Sequence, residues 1–146
     1  MLHILLVEDD EVEAEALIRA FRRQDFPHPV LVAADGVEAL YLLRGGASGG
    51  NGQPPLPRPC IVLLDLNMPR MSGVEFLAAL RQDQSLKRTI VFVLTTSNRA
   101  EDKAAAYNHQ IAGYLLKANQ GEEFAHLVAM LTNYWRVVEF PPDDHP

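Results

Sequence analysis

The chain carries a single cysteine, Cys60, among 146 residues. One thiol cannot build an internal disulfide framework, and it fits a reducing compartment. Basic residues are also too few to give a positive balance. The formal net charge is −6, which argues against nucleic-acid binding by bulk electrostatics. No apolar stretch is long enough to span a membrane, and the opening MLHILLVEDD lacks the basic region of a signal peptide. A cytoplasmic protein that engages neither membrane nor nucleic acid is expected. The histidines His3, His28, His109, His126 and His145 lack metal-ligand spacing and read as surface or edge residues. There are no internal repeats. The length suits one domain over 1–146, with its core in 3–139 and a tail at 140–146.

What the chain does have is a series of short apolar runs that stop at polar residues. Residues 3–7 stop at Glu8, Asp9 and Asp10. Residues 30–34 stop at Asp35-Gly36. Residues 61–64, opened by Cys60 as a small core residue, stop at Asp65. Residues 89–94 stop at Thr95-Thr96-Ser97, and residues 113–116 at Lys117. Such runs, bounded by turn residues, predict strands buried on both faces.

Helical patterns separate these runs. Val12, Ala16, Leu17, Ala20 and Phe21 share a face of a helix that Asp9 or Asp10 could cap and that Pro27 and Pro29 end. Val37, Leu40 and Leu43 mark a second helix, stopped by Gly45-Gly46. Met71-Ser72-Gly73 lead into a third, with Val74, Leu77 and Leu80 inward. A weaker helix is expected over 99–110 and a long last one over 121–139, closed by Pro141-Pro142. Residues 45–59, GGASGGNGQPPLPRP, are rich in Gly and Pro without period and predict a flexible surface loop. Five alternations of strand and helix predict an α/β fold: a doubly wound parallel sheet with helices on both faces and right-handed crossovers.

In a parallel sheet the strand ends lie along one edge, where open α/β folds bind ligands. Glu8, Asp9, Asp65, Thr95 and Lys117 would converge there. Clustered carboxylates repel unless a cation sits between them. Oxygen ligands favour Mg²⁺ or Ca²⁺, and few protein ligands favour Mg²⁺ completed by water and phosphate. A lysine and a threonine beside such a metal and a free carboxylate make a phosphoryl site. The aspartate can then act as nucleophile and become an aspartyl-phosphate.

The acidic pair Glu8-Asp9 after LLV, the stretch DLNMPRMSG around Asp65, Thr95 after an apolar strand, and Tyr114 three residues before Lys117 resemble the receiver domain of a two-component response regulator. The resemblance covers nearly all of residues 3–139. It implies a flavodoxin-like five-stranded sheet of order 2-1-3-4-5. It implies that Asp65 takes a phosphoryl group from a histidine on a sensor kinase. Mg²⁺ would be bound directly by Asp9 and Asp65, through water by Glu8, and by the backbone carbonyl of Asn67. Asp10 would be a first-turn helix residue. Thr95 and Lys117 would hold the phosphoryl group, and Tyr114 would turn inward as a switch when Thr95 moves.

The chain departs from the family at two positions. The acidic pair is Glu-Asp rather than Asp-Asp. Lys117 is followed by Ala118, where receivers usually carry a proline in a cis peptide. A cis bond before a non-proline costs about 2.5–4 kcal/mol, so either Lys117–Ala118 meets that cost or the loop takes another path. The long 45–59 loop, LTTS after the fourth strand, the aromatic end of the last helix and the expected lack of an effector domain resemble the single-domain regulators paired with phytochrome kinases.

Phe124, Leu127, Val128, Leu131, Trp135 and Val138 form one apolar face of the last helix. Met130, Tyr134 and Val137 form a second stripe that is expected to stay exposed, and it predicts a symmetric homodimer through the last helix and fifth strand. Two other functions fit the same residues. One is a dimeric interaction module that signals without phosphorylation. The other is a Mg²⁺-dependent phosphohydrolase, although Asp65-Leu66-Asn67 lacks the second carboxylate that such an enzyme would use as general acid.

Overall fold

The computed structural model describes residues 1–45 and 54–142. Along them run β1 His3–Val7, α1 Glu11–Arg23, β2 Val30–Ala33, α2 Gly36–Arg44, β3 Cys60–Leu64, α3 Gly73–Gln82, β4 Ile90–Thr95, α4 Ala100–Tyr107, β5 Gly113–Leu116 and α5 Ala125–Val137. The strands form one parallel sheet in the expected order β2-β1-β3-β4-β5. This is the doubly wound, flavodoxin-like arrangement.

Alternate strand residues feed two cores. Leu5, Val7, Val62, Leu64 and Val93 pack with Leu40 of α2 and Phe76, Leu77 and Leu80 of α3. Ile4, Leu6, Ile61, Leu63 and Leu94 pack with Leu17 and Phe21 of α1 and Leu127 and Leu131 of α5. Each such side chain contributes about 1.5–3 kcal/mol when fully buried. Helices therefore cover both faces, and only the strand ends are left for chemistry.

The helix starts are fixed by side chains. Asp10 accepts from the N–H groups of Val12 and Glu13 at 2.9 and 3.2 Å. Asp35 caps α2 at the N–H of Glu38, 2.8 Å away. Ser72 and Glu75 form a reciprocal capping box at α3.

Several sequence expectations are corrected. Val12, expected inward, is 75% exposed, and Ala14 is buried in its place. The face that packs carries Ala14, Leu17, Ala20 and Phe21, and at 3.6 residues per turn Val12 falls on the side of α1 opposite Ala14 and Phe21. This helix ends at Arg23 rather than at Pro27, because Asp25 takes a left-handed φ of 54°. Val37 is exposed and Ala39 is buried. Val74 is only partly buried, and Phe76 fills the core beneath α3. The helix expected over 99–110 is shorter, Ala100–Tyr107. The last helix begins at Ala125 rather than 121, because Glu123 and Phe124 have φ of 52° and 54° and cannot extend it.

The second stripe of the last helix is also corrected. Met130 and Tyr134 are partly buried against the chain's own core, and only Val137 stands out, 78% exposed. The cause lies in the paired positions Phe92 and Gly113. A Cβ on Gly113 would meet the Phe92 ring at 3.2 Å. The ring thus lies over Gly113 and reaches Tyr134, edge to face, with centroids 5.2 Å apart. Phe140 then folds back on Tyr134 and Trp135. The tail expected from residue 140 therefore begins with a packed residue, and 143–146 lie outside the described residues. Of the expected flexible loop 45–59, residues 46–53 lie outside the described residues. Its later part is anchored: Leu56 is buried, and its N–H donates to Leu42 at 3.0 Å.

Gly73 sets how closely α3 approaches the end of β3. A Cβ there would stand 2.6 Å from Leu66 Cα and 2.8 Å from the Asp65 carbonyl oxygen. Both are backbone atoms, and such overpacking costs about 1–3 kcal/mol. Gly73→Ala is therefore expected to destabilise the protein by roughly that amount. Urea denaturation checks this: a lowered midpoint with unchanged slope is the expected result.

Candidate functional site

The register of the sheet decides which side chains meet. Val7 pairs with Leu64, so the next residues, Glu8 and Asp65, leave the sheet side by side. Thr95 pairs with Leu116, which delivers Lys117 to the same edge. The Asp65 N–H continues the ladder by donating to Val7 at 3.1 Å, and the Glu8 N–H donates to Ala33 at 3.0 Å. Both backbones are thus held before any side-chain contact forms.

Asp65 is buried, and its Oδ1 accepts from Thr95 Oγ1 at 3.1 Å and from the Asn67 N–H at 3.3 Å. Thr95 is wholly buried, and its oxygen accepts in turn from the Ser97 N–H at 3.4 Å. The Lys117 ammonium donates to Glu8 Oε1 at 2.8 Å and to Glu13 Oε2 at 2.7 Å, and stands 3.8 Å from Asp65 Oδ2. Lys117 opens a 3₁₀ turn, Lys117–Asn119. Among the described residues the cis peptide is Arg58–Pro59, so Lys117–Ala118 is trans and the loop takes the other of its two paths.

The structure thus brings Glu8, Asp65, Thr95 and Lys117 into one cluster. Asn67 joins through its backbone N–H, while its side chain is exposed. Tyr114 is one step removed: it is half-buried, and its hydroxyl donates to the Ser97 carbonyl at 2.9 Å. Thr95 and Tyr114 therefore both hold Ser97, one at its N–H and the other at its carbonyl. The Ser97 hydroxyl is tied to the Asp102 carboxylate on α4, which makes the segment part of that helix's anchor. Asp9 is exposed and lies outside the cluster of acidic groups. Met130, Tyr134 and Val137 sit on α5, away from these contacts.

Glu13 was not singled out from the sequence, where it reads as one more charge on the solvent face of α1. The available signal was its place in the first turn of a helix that starts at the same sheet edge. Carboxylate oxygens of Glu8, Glu13 and Asp65 lie within 4.8 Å of one another. Three acids this close need a cation. The donor set is all oxygen, which suits a hard divalent metal, and the Lys117 ammonium already stands among the same oxygens as a cationic partner. The residues present therefore fit a divalent metal.

Electrostatics follow from one ammonium serving three acids. Burial pushes the Glu8 carboxyl up, the Asp65 charge adds to this, and the Lys117 hydrogen bond only partly offsets it, so that its pKa rises from 4.5 to about 7. Burial alone would lower Lys117, but its hydrogen bonds to Glu13 and Glu8 and the Asp65 charge outweigh that and raise it.

With a folded pKa near 7 and an ordinary one near 4.5, the folded protein holds a proton on Glu8 that the unfolded chain has released. That contribution to stability is complete below about pH 4.5 and is lost as pH rises through about 7. Glu8→Gln in metal-free protein is expected to flatten the stability profile over this window and to raise stability relative to wild type at its upper end. Urea midpoints across the pH range, with a chelator present, check it. Parallel profiles for the two proteins would contradict the assignment.

Comparison with known proteins gives the arrangement its context. Residues 4–129 match the response regulator receiver domain family. Response regulator Rcp1 of Synechocystis sp. is 33% identical over 132 residues, which cover 90% of this chain and 87% of the relative. The crystal structure of the Mn²⁺-bound form of Rcp1 superposes with a TM-score of 0.77 at 31% identity, covering 96% of this chain and 99% of that one. That of the phosphorylated cyanobacterial phytochrome response regulator RcpA gives 0.77 at 33% identity, covering 96% and 98%. Sheet order, the polar strand ends and these matches agree: the chain belongs to the response regulator receiver domain family.

Proposed function

We propose that this protein is a phosphorylation-controlled signalling switch that accepts a phosphoryl group on Asp65 from the phosphohistidine of a sensor kinase. One observation carries the reading: a buried carboxylate is held by Thr95 and Asn67, with an ammonium 3.8 Å from its other oxygen. An Asp65 oxygen attacks phosphorus, the P–N bond to the kinase imidazole breaks, and that nitrogen keeps the electron pair and takes a proton. A Mg²⁺ ion held by these residues would neutralise charge on the phosphoryl oxygens.

The chain's own residues do the rest. Asp65 and the exposed Asp9 would hold the metal directly, Glu8 through water, and Asn67 through its backbone carbonyl. Thr95 exchanges its hydrogen bond to Asp65 for one to the phosphoryl group. Lys117 pairs with the remaining charge. A pull on Thr95 is felt at Ser97, whose carbonyl holds Tyr114, so a local change of charge reaches the outer surface of α4 and β5.

The relatives' phytochrome association supports a phytochrome-type histidine kinase as the donor, with output through protein contacts. A homodimer through α5 and β5 remains part of this reading. β5 is an edge strand, and Val137 is exposed at the end of α5, while Met130 and Tyr134 offer only the flank not packed on the core.

Incubation with acetyl phosphate and Mg²⁺ is expected to give a stoichiometric phosphoryl adduct by intact-mass measurement. Asp65→Asn or chelation of the metal abolishes it. Rapid turnover without accumulation would point to a hydrolase instead, and no adduct from either donor or kinase would exclude both. Light scattering at tens of micromolar protein, with and without a phosphate analogue, is expected to show a dimer. A monomer in both conditions contradicts that part.

A further inference from the structure

Lys117 has three N–H donors. Two are spent on Glu8 and Glu13, while Asp65 lies beyond hydrogen-bond distance at 3.8 Å. The ammonium therefore belongs to the two glutamates before any phosphoryl group is present. The two glutamates differ in one respect. The Glu8 side chain is 2% exposed and cannot turn to water, whereas Glu13 is 41% exposed and can. Glu13 also sits in the first turn of α1, which Asp10 caps through the Val12 and Glu13 N–H groups, so its backbone does not drift. It offers a fixed base with a releasable carboxylate.

We propose that Glu13 is a positioning residue of the phosphoryl site, holding Lys117 Nζ back from Asp65 until a phosphoryl group draws it away, and so limiting the rate at which Asp65 is phosphorylated. This rests on Asp65 being the phosphoacceptor. Lys117 leaves β5 into a 3₁₀ turn with a trans peptide to Ala118, and its side-chain partners fix where the ammonium stands. As the donor's phosphoryl group comes up to Asp65, Lys117 exchanges the Glu13 carboxylate for one of its oxygens. Glu13 then turns outward and is solvated. The attraction it loses is the barrier it imposed. Glu8, enclosed and still bonded, keeps the lysine in the site throughout.

The experiment uses the full chain and the variants Glu13→Gln and Glu13→Ala, both at a half-exposed position. Metal-free protein is pulse-labelled with acetic anhydride, and the labelling of Lys117 is read by mass spectrometry against Lys87 and Lys103 as internal references. In parallel, the rate of adduct formation on Asp65 is measured with acetyl phosphate and Mg²⁺. Loss of one charge-assisted hydrogen bond is expected to raise Lys117 labelling about fivefold and the phosphorylation rate roughly three- to tenfold. Unchanged relative labelling of Lys117 overturns the proposal, because Glu13 would then not hold the ammonium. Raised labelling with an unchanged phosphorylation rate overturns it too, since the hold would have no consequence. A wild type that takes up no phosphoryl group defeats the phosphoacceptor reading and with it the rate-limiting role. The labelling alone then decides whether Glu13 restrains Lys117.

Discussion

The shared ammonium of Lys117 is the interaction on which the site depends. Glu8, Glu13 and Asp65 bring oxygens within 4.8 Å of one another, and a single cation bonded to two of them keeps the cluster together. Removing that charge would leave enclosed carboxylates facing each other, which is costly in a region of low dielectric. Burial, with the Asp65 charge added to it, raises the Glu8 pKa to about 7. The site is short of positive charge, which a divalent cation bound as proposed would supply.

The rest of the molecule holds those groups at fixed separations. Parallel pairing in register places Glu8 beside Asp65 and Lys117 beyond Thr95. Gly73 lets α3 press against Leu66, and its N–H donates to the Leu66 carbonyl at 2.9 Å. Asp35, the cap of α2, receives Arg70 at 2.8 Å, which ties the loop after Asp65 to the neighbouring helix. The two cores then convert sequence alternation into a rigid sheet. The fixed sheet keeps the base of Lys117 where its ammonium bonds Glu8 and Glu13 and stands 3.8 Å from Asp65.

Much of this was legible in the sequence, for a physical reason. Strands buried on both faces must be apolar throughout, so their ends are marked wherever a polar residue breaks the run. Asp65, Glu8 and Thr95 each stand at such a break, and Lys117 ends the apolar but half-buried edge strand β5. The helices were less legible. Val12 is apolar yet exposed, because the tertiary contacts choose the face of Ala14, Leu17, Ala20 and Phe21, and Val12 lies opposite Ala14 and Phe21. Tyr134 was assigned to an outer stripe, but Gly113 allows the Phe92 ring to meet it, a contact between residues distant along the chain. Glu13 was hidden for the same reason. It is separated from Lys117 by 104 positions and looks like any other charge on a solvated helix face. The path at Lys117–Ala118 was open to two solutions that only tertiary packing could choose between.

In the function proposed above, the balance of charges around Asp65 makes this carboxylate, among several nearby, the nucleophile. Trapping the acyl phosphate tests it most directly. After incubation with Mg²⁺ and a small phosphodonor, borohydride reduces an acyl phosphate to an alcohol, and peptide mapping locates the converted residue. Conversion of Asp65 to homoserine is expected, with Glu8, Asp9 and Glu13 untouched. Conversion at any of those three with Asp65 intact would contradict it.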